Sequence, residues 1–146
     1  MQLSILRSSV GRILSLATRR PVNLTTFSNY STKTVKFISG SETFVGSGRE
    51  GDTLLDVVIN NDLPLDGFGA CEGTLACCTC HVILTPEHFQ REDDVNPASE
   101  EEMDLLDLAP DLSDQSRLGC QIKLLKEDTV IEVVVPTAKR DARALD

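Results

Sequence analysis

Over residues 34–38 polar and apolar side chains alternate as Thr-Val-Lys-Phe before Ile38, a pattern that predicts a short strand; Ser39-Gly40-Ser41 supplies a turn into a partner strand over residues 43–45. Beyond Gly46, Gly48 and Gly51 the period changes: Leu54, Leu55 and Val58 fall on one side of a helix expected over residues 53–59, with Asp52 as its N-cap and Asn60, Asn61 and Pro64 ending it. Residues 65–79 show little periodicity and are punctuated by Gly67, Gly69 and Gly73, which marks an irregular loop. A loop of that length in a small domain needs a functional or metal-based reason. A strand follows over residues 81–84, then a polar stretch ending at Asn96-Pro97-Ala98. Ser99 with Glu102 forms a capping box for a helix over residues 100–108, stopped by Pro110. At about 100° per residue, Glu100, Glu101, Asp104 and Asp107 share one side of it, with Met103, Leu105 and Leu106 on the other. The chain closes with residues 120–124, a turn through residues 126–128, an aliphatic strand over residues 130–135 ended by Pro136, and a polar tail over residues 137–146 that is expected to be mobile.

The 146 residues suffice for one domain, and with 40% hydrophobic residues, no Trp and one Tyr its core is aliphatic. No apolar run reaches the roughly 18 residues of a membrane span. The net charge of -9 hides an asymmetry: residues 1–31 carry Arg7, Arg12, Arg19 and Arg20 and no acid, so residues 32–146 net -13. That part repels nucleic acid and attracts basic protein partners. In the N-terminal stretch Leu3, Leu6, Val10, Ile13, Leu14 and Ala17 recur at helical spacing among arginines, serines and threonines, the composition of a mitochondrial transit peptide. The expected organisation is a transit peptide over residues 1–31, a domain over residues 32–136 and a tail over residues 137–146, located in the mitochondrial matrix.

Four of the five cysteines lie in the ten residues Cys-Glu-Gly-Thr-Leu-Ala-Cys-Cys-Thr-Cys from Cys71 to Cys80, and the fifth is Cys120. Thiolates are soft anionic ligands suited to iron–sulfur clusters or zinc, and a matrix address argues against a disulfide framework. Four-cysteine structural zinc sites usually come as two close pairs; a dense loop plus one distant cysteine favours a cluster, with a structural zinc-binding module as the alternative. Gly73, Thr74, Ala76 and Thr79 allow backbone N–H groups to approach the sulfurs. No phosphate loop, nucleophile–base set or other catalytic constellation accompanies them, which excludes an enzyme that transforms a substrate.

The run Cys71-Glu-Gly-Thr-Leu-Ala-Cys77-Cys78-Thr79-Cys80-His81, preceded by Asp66-Gly-Phe-Gly-Ala70 and followed by Arg117-Leu-Gly-Cys120-Gln121, closely resembles the adrenodoxin family of mitochondrial [2Fe-2S] ferredoxins, and the likeness extends over residues 34–143. The resemblance implies an α+β, β-grasp ferredoxin fold: a mixed sheet with a helix packed on it and a cluster-binding loop. It implies one [2Fe-2S] cluster with Cys71, Cys77, Cys80 and Cys120 as ligands, two to each iron, and Cys78 as a non-ligand. It gives the acidic helix a partner-docking role, carried by Asp104 and Asp107 and extending to Glu100, Glu101 and Glu102. It makes His81, with Ser116 as neighbour, the link between the cluster loop and the acidic helix. Two departures stand out: the connection ending at Asn96-Pro97-Ala98 is a few residues longer than in familiar relatives, and Pro110 stands where many carry an aromatic residue nearby.

On this reading the protein is a monomeric one-electron carrier. It takes electrons from an NADPH-dependent ferredoxin reductase and delivers them to acceptors such as a mitochondrial cytochrome P450. The alternative acceptor is the cysteine desulfurase–scaffold complex of iron–sulfur assembly, with haem or lipoyl maturation. No nucleic acid and no membrane insertion are expected.

Overall fold

The computed structural model describes residues 31–138 and 141–144. The transit peptide expected over residues 1–31 therefore lies, but for Ser31, outside the described residues.

Strand β1 (Lys33–Ser39) turns at Gly40, whose φ of +61° suits glycine, into antiparallel β2 (Glu42–Gly48). The hairpin is longer than residues 43–45 suggested, because pairing runs from Ser39 opposite Glu42 to Lys33 opposite Gly48. Helix α1 (Leu54–Asn60) buries Leu54, Leu55, Val57 and Val58. Its N-cap is Thr53, not Asp52: Thr53 Oγ1 accepts from Asp56 N at 3.0 Å, and Thr53 N donates to Asp56 Oδ2 at 2.8 Å, a reciprocal capping box. Asp52 instead accepts from Arg49 N in the preceding turn at 2.8 Å.

After the irregular loop come β3 (His81–Leu84) and α2 (Pro86–Val95), a helix that occupies most of the polar stretch. Its start is marked chemically, by Thr85 as N-cap and Pro86 in the first turn, where the missing N–H costs nothing. Helix α3 (Glu100–Leu106) ends two residues earlier than expected, its C-terminal turn carried on by Leu108 and Ala109 N–H bonds to Leu105 and Leu106 carbonyls. Strands β4 (Ser116–Leu118) and β5 (Val130–Val134) complete a five-stranded sheet of order β2-β1-β5-β3-β4. The β1–β5 pair is parallel and the others antiparallel, so the sheet is mixed. One face packs Val35, Phe37, Val82, Leu84, Ile131 and Val133 against α1, with Phe68 edge-on to Phe37 at 6.2 Å between ring centroids.

The tail is not all mobile surface: Ala142, in a short 3-10 turn over Ala142–Ala144, packs against the core. No described helix is long and apolar enough to cross a membrane.

Candidate metal centre

Residues 65–80 leave the sheet region as a loop with an unusual backbone. Besides its glycines, Glu72 and Leu75 have φ of +55° and +53°, a region disfavoured for side chains that carry a Cβ. Two glycines bring the loop close to its surroundings. A Cβ on Gly69 would stand 2.1 Å from Leu55 Cδ1, on α1. Gly73, at φ +83°, faces Cys120 Cβ at 3.6 Å from where its own Cβ would be, so the loop and the distant cysteine meet. Cys120 is anchored from the other side: Gly119 N donates to the Cys80 carbonyl at 2.8 Å, and Leu54 N to the Ile122 carbonyl at 3.1 Å.

All five cysteines are free and buried. Four of the thiols fall as two hydrogen-bonded pairs, Cys71 with Cys77 and Cys80 with Cys120. The pairs are electrostatic neighbours through Cys77–Cys80 and Cys71–Cys120. Burial pushes the Cys71 thiol up, but the Ala76 and Gly73 N–H groups, the Cys77 thiol and the Thr74 hydroxyl outweigh it and hold it at about 6. The Cys80 thiol hydrogen-bonds Cys120 and, helped by the Gln121 amide, outweighs burial to hold Cys120 down at about 7. The same bond, with burial, pushes Cys80 up. Further donors line the sulfurs: Thr79 Oγ1 lies 3.1 Å from Cys77 Sγ while accepting from Ala70 N at 2.9 Å, and Gln121 Nε2 lies 3.3 Å from Cys120 Sγ.

Two sulfur pairs fed by N–H and O–H donors fit the donor set of a binuclear iron–sulfur cluster. Among the described residues no three His, Cys, Asp or Glu side chains are drawn together into one group, so the sulfurs stand as two neighbouring pairs. Cys78 stands apart. It is 2% exposed, packs in the core and hydrogen-bonds the Ala142 backbone; burial, then the neighbouring Cys77, raises its thiol.

Of the acidic residues on α3, Glu100, Glu101, Asp104 and the C-cap Asp107 are exposed. Glu102 is not, and its expected place on the docking face is corrected by the structure. It is 1% exposed, its carboxylate gripped by Arg117 Nε at 2.8 Å and Nη2 at 3.1 Å, and by Leu118 N at 2.9 Å. Ser99 Oγ does accept from Glu102 N at 3.2 Å, but the Glu102 side chain turns inward instead of closing the box. Met103 is 54% exposed, so it sits among the acids and not with Leu105 and Leu106. The pairing has a geometric reason: position 102 faces the strand that carries Arg117, and a guanidinium in a buried strand requires a carboxylate there. In the sequence Arg117 belongs to the motif before Cys120, and its burial, with the need for an acid beside it, becomes visible only once β4 is in place.

His81 is 4% exposed, with Nε2 2.7 Å from Ser116 Oγ, which in turn accepts from Ser113 N at 2.8 Å in the segment after α3. Burial lowers its pKa against the opposing pull of Asp111 and the Pro110 backbone. Sequence reasoning also passed over Glu92 and Asn96 on α2, because a predominantly polar helix has no apolar stripe to reveal which polar residues point inward.

No protein-family model matches the chain. It is 48% identical over 137 residues to adrenodoxin-like protein 2, mitochondrial, of Drosophila melanogaster, covering 89% of both chains. It is 46% identical over 134 residues to mitochondrial adrenodoxin of Gallus gallus, covering 89% of this chain and 92% of that one. Among solved structures, the covalent putidaredoxin reductase–putidaredoxin complex matches with a TM-score of 0.61 and 29% identity, over 74% of this chain and 100% of that one.

Proposed function

Since the chain belongs to the adrenodoxin family of [2Fe-2S] ferredoxins, we propose that its cluster is held by Cys71, Cys77, Cys80 and Cys120 and that electrons pass through partners docked on the exposed side of α3. The protein is a mitochondrial electron carrier, not an enzyme. One [2Fe-2S] cluster supplies its one-electron couple. The observation that carries the ligand assignment is that four buried thiols lie as two adjacent pairs, with Cys120 brought to the loop at Gly73. Two of them are held near or below neutral pH, ready to bind iron as thiolates. Cys78 is tied to the tail and is no ligand.

Glu100, Glu101, Asp104 and Asp107 form the docking face, with Asp104 and Asp107 its main contacts for a basic partner. The partners are an NADPH-dependent ferredoxin reductase as donor and a mitochondrial cytochrome P450 as acceptor. The reductase assignment draws support from the match to a ferredoxin caught with its reductase. Because both partners meet the same face, a monomer shuttles between them. His81, bonded to Ser116, and Glu102, bonded to Arg117, join that face to the cluster segment. The test compares electron delivery from the reductase-reduced protein to a mitochondrial P450 and to the cysteine desulfurase–scaffold complex. Faster delivery to the P450 is expected; a preference for the assembly complex moves the protein to cluster biogenesis, and a protein that cannot be reduced overturns the cluster assignment.

A further inference from the structure

We propose that the side-chain amide of Gln121 helps to set the reduction potential by donating to Cys120, and that Asn96 at the end of α2 is the positioning residue that aims it. This rests on the cluster reading above. Gln121 follows Cys120 directly and is half-buried, with Nε2 3.3 Å from Cys120 Sγ. Its backbone is fixed at both ends. Its N–H donates to the Leu118 carbonyl at 2.9 Å, and its carbonyl accepts from Asn96 Nδ2 at 2.8 Å.

Asn96 is itself held in place. Its Nδ2 also lies 3.2 Å from Glu92 Oε1, which accepts from Lys123 N at 3.3 Å, and its carbonyl accepts from Arg117 Nη2 at 3.1 Å. The end of α2 therefore holds residues 117, 121 and 123, on both sides of Cys120. This grip comes from α2 and its C-cap, in the connection between β3 and α3. Neither the ligand set nor the docking face accounts for it.

Reduction adds one electron, and so one negative charge, to the cluster and its sulfurs. A donor at a ligating sulfur stabilises that added charge more than it stabilises the oxidised form, which raises the potential. No proton is transferred, since the amide keeps its hydrogen. Near Cys71 the corresponding donors include the backbone N–H groups of Gly73 and Ala76. At Cys120 a side chain does this work, so a substitution can remove it without disturbing the backbone.

The test is a spectroelectrochemical titration of the full-length holo-protein. Gln121→Met keeps the length and removes the donor; at the wild-type midpoint its reduced-to-oxidised ratio is expected to fall about tenfold, or about 59 mV for one electron. Asn96→Ala is expected to lower the ratio about threefold, and to lower it no further in the Gln121→Met background, because it acts through Gln121. An unchanged ratio in Gln121→Met overturns the proposal, as does an Asn96→Ala effect that persists undiminished in the double variant. Should Gln121→Met fail to load, wild-type protein labelled with nitrogen-15 at its glutamine side chains decides: pulsed EPR of the reduced state is expected to show a weak nitrogen-15 coupling, and its absence overturns the proposal. A colourless wild-type protein unaffected by dithionite counts instead against the cluster reading.

Discussion

The cluster loop and helix α3 treat their polar groups in opposite ways. In residues 65–80 the backbone takes positive φ at Glu72 and Leu75 as well as at glycines, and N–H and O–H groups turn toward buried sulfurs. In α3 the backbone is an ordinary helix, and four carboxylates turn toward water while one, Glu102, turns inward. The first region draws its character from backbone shape, the second from which side of a regular helix each acid occupies. Neighbouring glutamates there, Glu101 and Glu102, have unrelated roles because 100° of rotation separates solvent from Arg117.

Substitutions can break that contrast, beginning with the loop. Cys77→Ser is expected to abolish or reshape the visible absorption of the cluster, whereas Cys78→Ser leaves it unchanged; equal spectra from the two would show that the loop does not discriminate between adjacent thiols. Next in size is the inner face of α3. Glu102→Ala leaves the Arg117 guanidinium buried without its carboxylate, and thermal unfolding is expected to show a loss of about 3–5 kcal/mol. Glu101→Ala should change stability by no more than about 0.5 kcal/mol. On the outer face, Asp104→Asn and Asp107→Asn are expected to weaken reductase binding about two- to fivefold each at low salt, with less effect at high salt and the cluster spectrum intact. Unchanged affinity at low salt would remove the docking role.

The smallest effect sharpens the point about inward acids. Burial holds the Glu92 carboxyl above its ordinary value, even with Asn96 and Lys123 donating to it. Its folded form therefore binds the proton more tightly than its unfolded form. Stability falls as pH rises from the ordinary glutamate value through the raised folded one, and is flat above that. Glu92→Gln should flatten that decline in chemical-denaturation curves taken from pH 4 to pH 8; an unaltered slope would show that Glu92 does not cause it.

Much of this was readable in the residues. Alternation located β1, an aliphatic run ended by Pro136 located β5, apolar spacing located α1, and cysteine spacing with its glycines marked the loop. What escaped was polar structure held by partners distant in sequence. Helix α2 has no apolar stripe, and its start is written only in Thr85 and Pro86. The three residues of β4 are too few to show a period. Glu102 reads as one of three consecutive acids until Arg117, 15 residues on, is placed beneath it. The contact of Ala142 with Cys78 also escaped, because nothing in the residue type announces it.

The parallel pairing of β1 with β5 sets an order of events for a chain delivered N-terminus first. Lys36 and Glu132 pair across a separation of 96 residues, and the middle of the sheet stays open until the last strand arrives. Cys71, Cys77 and Cys80 emerge well before that, and Cys120 only shortly before it. Iron that met the early cysteines during delivery would find three ligands on an unfinished frame. The fourth proposed ligand and the strand that closes the sheet thus lie within 15 residues of each other, so neither the ligand set nor the frame is complete before that stretch is in place.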